Sequence, residues 1–198
     1  MTPPPLRVAC FVSSHGFGHA SRIAAIITQI YRKDNRAEVI IFSQVPSWFW
    51  PANLPRNCRI KVVNEKTDVG LVQKDPFHHS LEDSYVQVEE FLSFSDSRIK
   101  RSTTLLRSLG PHLILSDISP LGIELGNRLQ IPTILLENFT WDWIYKSYIE
   151  NYPRFEHLVV ILKRIYNKAY LRIQCRPFCE EIKNSTSVNP IFRFPEAD

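Results

Sequence analysis

Residues 6–12 read LRVACFV, an unbroken apolar and β-branched run. Such a run suits a strand buried on both faces of a sheet. It is followed by SSHGFGHASR (13–22), which sets Gly16 and Gly18 among histidines. From residue 20 to 33 (ASRIAAIITQIYRK), Ile23, Ile26, Ile27 and Ile30 then recur at helical spacing until DNR interrupts them. Strand, glycine loop and helix in this order open a βαβ unit, and a strand buried on both faces needs neighbours in a parallel sheet with helices above and below.

The rest of the chain keeps that alternation. Strands are predicted at 38–43 (EVIIFS), 59–63 (RIKVV), 112–116 (HLILS), 132–137 (PTILLE) and 169–175 (AYLRIQC). Helical spacing appears over 81–109, broken near 93–97 and stopped by Gly110-Pro111, and again over 121–129 and 155–167. Residues 65–80 are polar and show no pattern, and 139–148 (FTWDWIYKSY) reads as an aromatic loop. The tail SVNPIFRFPEAD has two prolines and no periodicity, so it reads as a linker. Strands alternating with helices give an α/β class with a doubly wound parallel sheet.

Bulk properties exclude several alternatives. With 198 residues, 44% of them hydrophobic, the chain can bury a core as one domain. The formal charge is +4, but Lys and Arg are dispersed and only RIKRSTTLLR (98–107) forms a cluster, which a solvated helix face explains. No basic stripe with interleaved aromatics is visible, so no nucleic-acid partner is expected. The four cysteines are too few and too unevenly spaced for a disulfide framework, and Cys175 with Cys179 lacks the second pair or nearby histidines that zinc needs. No metal is expected, and the compartment is expected to be reducing and cytoplasmic. The N-terminus MTPPPLRVACFVSS lacks the pattern of a signal peptide. The longest apolar stretches fall far short of the roughly 20 residues that span a bilayer, which leaves peripheral membrane contact as the only membrane role open.

The glycine loop sits where a parallel sheet binds ligands, outside the carboxyl ends of the strands. Gly16 and Gly18 remove side chains, so backbone N–H groups can approach a ligand, and the following helix adds its positive dipole end. The arrangement favours an anionic group. A dinucleotide fingerprint is only half present, because Ser21 replaces the third glycine and Ser43-Gln44 stands where a ribose-binding acid belongs. The loop is not a Walker A motif either. A helix N-terminus disfavours a nearby cation, so an imidazole at His19 would stay a free base able to deprotonate a hydroxyl. Such a base needs a carboxylate to fix its tautomer, and Asp117, at the end of the HLILS strand, opens on the same crevice. Capping roles for His19 and Asp117 compete with this reading. His15 could contact a ligand or hydrogen-bond within the loop; Arg22 could pair with a phosphate, with Asp117, or lie on the surface.

The motifs SHGFGHASR, LILSDISPLGIELG, IPTILLENFTWDWIY and NPIFR, in this order, resemble the amino-terminal domain of GT-B glycosyltransferases. The nearest variety is the glycosyltransferase-like region at the front of plant L-arabinokinases and related bacterial proteins. The resemblance implies a Rossmann-like domain over residues 1–188, lying on the acceptor side of a cleft, with residues 189–198 starting the linker to a carboxy-terminal donor domain of about 150 to 200 residues. It implies His19 as the base of an inverting enzyme and Asp117 as its partner. A nucleotide diphosphate sugar would be the co-substrate, a hexosyl group the cargo and a hydroxyl the acceptor, with no cofactor. His15, Gly16, Gly18, Arg22, Glu137, Asn138, Trp141 and Trp143 are the candidate substrate-binding residues; the tryptophans could stack on a sugar or belong to the core. Without the second half, transfer by these residues alone is not expected. The competing reading is a non-catalytic module that binds a sugar or nucleotide in the same crevice.

Overall fold

The computed structural model describes residues 3–193, apart from the side chains at 96 and 98. β1 (Arg7–Val12) leads into α1 (Phe17–Lys33), β2 (Glu38–Phe42), a short helix α2 (Phe49–Asn53) and β3 (Arg59–Val63). A small antiparallel hairpin, β4 (Val72–Gln73) and β5 (His79–Ser80), precedes α3 (Leu81–Leu92) and α4 (Asp96–Leu109). The chain then runs through β6 (Leu113–Asp117), α5 (Pro120–Leu129), β7 (Thr133–Glu137), α6 (Trp141–Lys146), α7 (Phe155–Tyr166), β8 (Leu171–Cys175) and β9 (Thr186–Val188). Seven of these strands form one sheet in the order β3-β2-β1-β6-β7-β8-β9, every neighbouring pair parallel. The order runs outward from β1 in both directions, which is the doubly wound, Rossmann-like arrangement.

Strand alternation sorts the core into two layers. Val8, Cys10 and Val12 of β1 face α1, where Ala20, Ile23, Ala24 and Ile27 meet them. Ala9 and Phe11 face the opposite side, with Phe11 stacked on Phe42 at a centroid distance of 4.4 Å. α5 lies close on that second face. A Cβ at Gly126 would stand 1.9 Å from Thr133 Oγ1 and 3.1 Å from the Ile131 carbonyl oxygen. Gly126→Ala is therefore expected to push α5 off β7 and cost about 1–3 kcal/mol, the range for overpacking a filled interior, read as a lower urea midpoint at unchanged slope.

Several local outcomes differ from the sequence pattern. α1 starts at Phe17 rather than Ala20, because Gly16 at φ +88° turns the chain straight into the helix. Phe17, Gly18 and His19 thus form its first turn. α5 is capped by Ser119, whose hydroxyl accepts from the Gly122 N–H at 3.3 Å, and Pro120 opens the helix. Asp117 is consequently free of the capping role. The aromatic loop after β7 contains α6, and the tail contributes β9, the seventh strand. Of the expected linker, residues 189–193 run back against α1 and α2, with Arg193 Nη1 donating to the Asn53 carbonyl at 3.4 Å. Residues 194–198 lie outside the described residues.

Candidate active site

Strand order reverses between β1 and β6, and the crevice outside their carboxyl ends is where open α/β sheets bind ligands. The register pairs Val12 with Asp117, so the last residue of β6 lies beside the last residue of β1. The first turn of α1 stands over that point. His19 Nδ1 lies 2.7 Å from Asp117 Oδ1, and both side chains are buried.

Arg22, one turn further along α1, completes the cluster. Its Nε donates to Asp117 Oδ2 at 2.7 Å and its Nη2 to Oδ1 at 2.6 Å, a bidentate pair, while Nη1 donates to Asn138 Oδ1 at 3.2 Å. Burial by itself would raise the Asp117 carboxyl. The charge and hydrogen bonds of Arg22, with the bond from His19, outweigh that and hold it below the ordinary carboxylate value. An ionised Asp117 only accepts, so the proton of His19 sits on Nδ1 and donates to it. The 3.3 Å approach of Arg22 Nη2 to Nδ1 is then a donor beside a donor. In the neutral imidazole, the lone pair is then on Nε2.

A cavity of about 260 Å³ opens in front of His19. His15, Gly18, His19 and Arg22 line it together with Asn138 and Arg176. A Cβ at Gly18 would meet nothing within 4 Å, so this glycine contributes open space, whereas Gly16 contributes its positive φ. A larger groove of about 1000 Å³ runs between α1, α2 and residues 190–193, but its lining carries neither a carboxylate nor a histidine. Among the described residues, no three His, Cys, Asp or Glu side chains are grouped so that they could hold a metal ion. No helix among them is long and apolar enough to cross a membrane.

Besides Gly16, three candidates are absent from the cavity lining. Glu137 is buried and committed to Arg172, at 2.8 and 2.7 Å, and to Gln174 Nε2 at 2.9 Å. Trp141 is buried beneath the site, stacked on Tyr145 at 5.9 Å, and donates its indole N–H to Asp68 Oδ2 at 2.9 Å. Trp143 is half-exposed on α6 and does not reach the cavity lining. Phe17, in the first turn of α1, and Trp48 are exposed, with Phe17 stacked on Phe49 at 5.3 Å.

Sequence reasoning missed Asp68. It belongs to the aperiodic stretch after β3, which the structure buries under the site: Thr67 Oγ1 donates to the Val12 carbonyl at 3.0 Å, and Ser119 Oγ donates to the Thr67 carbonyl at 2.8 Å. The single local hint is Gly70. A Cβ there would stand 2.6 Å from His15 Cε1 and 2.7 Å from the Trp141 ring, so only glycine lets those two rings close over the loop.

Known proteins share this architecture. The chain is 23% identical to L-arabinokinase from Arabidopsis thaliana over 145 residues, which is 71% of this chain and 13% of that protein. No family model matches it. Among solved structures, a UDP-glucosyltransferase from Polygonum tinctorium superposes with a TM-score of 0.58 at 13% identity, over 100% of this chain and 55% of that one. The glycosyltransferase SsfS6 from Streptomyces sp. SF2575 gives 0.54 at 13% identity, over 98% and 56%. MurG from Acinetobacter baumannii gives 0.52 at 10% identity, over 96% and 47%. The chain spans about half the length of these solved structures and a much smaller part of the L-arabinokinase. Its fold is that of one Rossmann-like domain of these glycosyltransferases.

Proposed function

We propose that this chain is the acceptor-side half of an inverting, metal-independent glycosyltransferase that takes a hexosyl group from a nucleotide diphosphate sugar. The observation that carries the reading is the 2.7 Å contact between His19 Nδ1 and the buried, ionised Asp117. It leaves Nε2 free for a proton at the edge of a cavity. An acceptor hydroxyl there gives its proton to Nε2 as its oxygen attacks the anomeric carbon from the face opposite the diphosphate. The new C–O bond forms as the bond to the diphosphate breaks, and the electron pair leaves with the diphosphate. Asp117 offsets the imidazolium so formed, and Arg22 keeps Asp117 ionised through the step. Asn138 and the space at Gly18 orient the acceptor.

In this reading residues 1–188 are the acceptor domain, and residues 189 onward lead toward a carboxy-terminal donor domain that supplies most of the nucleotide site. The free cysteines Cys10, Cys58, Cys175 and Cys179 fit a reducing, cytoplasmic setting. The test is titration calorimetry and a transfer assay against uridine, guanosine and thymidine diphosphate sugars, with and without a supplied carboxy-terminal GT-B domain. Turnover that needs the second domain is the expected result. Binding without turnover in every combination would identify a non-catalytic module, and silence from folded protein would overturn both.

A further inference from the structure

A second buried carboxylate beside the cleft takes no part in the transfer step. Asp68 is 2% exposed. Its Oδ2 accepts the Trp141 indole N–H and the Ser13 hydroxyl is a second neutral donor beside the carboxylate, while no hydrogen bond of full geometry reaches Oδ1 among the described residues. A carboxylate buried in this way is costly unless a cation stands close to it. The group that meets this need is His15, with Nε2 3.9 Å from Oδ1. Burial pushes the Asp68 carboxyl up, against the opposing pull of His15, the hydrogen bonds of Ser13 and Trp141 and the more distant His19.

The surroundings of His15 fix its ring and leave part of it open. The imidazole meets Trp141 edge-on, at 5.0 Å and 74°. Its Cε1 and Nδ1 lie so close over Gly70 that a Cβ there would come within 2.6 and 2.8 Å. The side chain is nevertheless 38% exposed and lines the same cavity as His19. With the proton on His15, the cleft presents a cation whose charge is offset from behind by Asp68. The two carboxylates nearby, Asp68 and Asp117, are paired with His15 and Arg22, the first turn of α1 has no acidic residue and its N-cap makes no side-chain bond, and Arg176 lines the same cavity.

We infer that His15, positioned by Asp68, is a second ligand-binding residue of this cleft, which engages a phosphate group as an imidazolium. The two histidines then divide the work, His19 as the neutral base and His15 as the cation. The inference rests on the proposed transfer reaction only for which molecule brings the phosphate, a nucleoside diphosphate or a phosphorylated acceptor.

The test is calorimetry on the full chain with inorganic pyrophosphate as the probe, for the wild type, His15→Gln, Asp68→Asn and the double variant, each shown to unfold cooperatively. Loss of a charge-assisted hydrogen bond is expected to weaken pyrophosphate by about tenfold or more in His15→Gln. Asp68→Asn should cost a similar factor in the wild-type background and less than about twofold in the His15→Gln background, since it acts through His15. A merely structural Asp68 would cost the same in both backgrounds. That result overturns the inference, as would an unchanged affinity in His15→Gln or no pyrophosphate binding by the folded wild type. UDP and a hexose 1-phosphate in parallel identify the source by which of them shows the His15 dependence; dependence in neither also overturns it. Failure of sugar transfer leaves these outcomes untouched.

Discussion

His19→Ala is expected to lower the transfer rate of the domain joined to its donor half by about 10²–10⁴-fold, the span that a positioned general base contributes. Binding of either substrate should change little, because the side chain acts on a proton that moves only as the new bond forms. Stability should fall only by about 1 kcal/mol, the value of an ordinary hydrogen bond, since Asp117 keeps both of its bonds from Arg22 after the imidazole is gone. Single-turnover measurement of product formation, beside a urea titration of the same preparation, separates the two effects. A variant that retains transfer within a few-fold of the wild type would remove His19 from the chemistry.

The sheet was legible in the sequence because its strands are buried on both faces, which forces continuous apolar runs such as LRVACFV and PTILLE. The helical spacing of Ile23 and Ile27 and the Gly110 stop marked helices for the same kind of reason, one apolar face and one left-handed residue. His19 and Asp117 could be named because a doubly wound topology brings the end of β1 and the end of the fourth main strand together. Asp68 could not. Its burial comes from Thr67 and Ser119, partners 52 residues apart in the chain, and no local pattern records such a bond. Trp141 shows the opposite failure: an aromatic after a strand looks like a stacking platform, yet its indole N–H is spent on Asp68. Glu137 was similarly drawn to the crevice by its place at the end of a strand, while Arg172 and Gln174, both from the neighbouring strand, consume its oxygens.

Asp117→Asn and Arg22→Met should each destabilise the fold by about 3–5 kcal/mol, the cost of leaving one partner of a buried pair without the other. Arg22 is 8% exposed and Asp117 fully buried, so neither charge can turn to water. Replacing both, as Asp117→Leu with Arg22→Met, should cost less than either single change, because no isolated charge then remains. The pH dependence follows from the lowered Asp117 carboxyl. Its contribution is fully present above the unfolded value, near 3.9, and is lost as the pH falls through the lower folded value. Asp68 has the opposite sign: its carboxyl is raised, so its contribution is present below the unfolded value and is lost as the pH rises through the folded one. Urea midpoints between pH 3 and 7 should therefore show the steepest acid-side loss in the wild type and a shallower one in Asp117→Asn. Equal acid slopes in the two proteins would mean that Asp117 is not ionised in the fold, and the tautomer assigned to His19 would fall with it. Arg22→Met keeps the contact between His19 and Asp117 but removes the cation that holds the carboxyl low. It should therefore lose activity first on the acid side, as Asp117 protonates and ceases to accept from Nδ1.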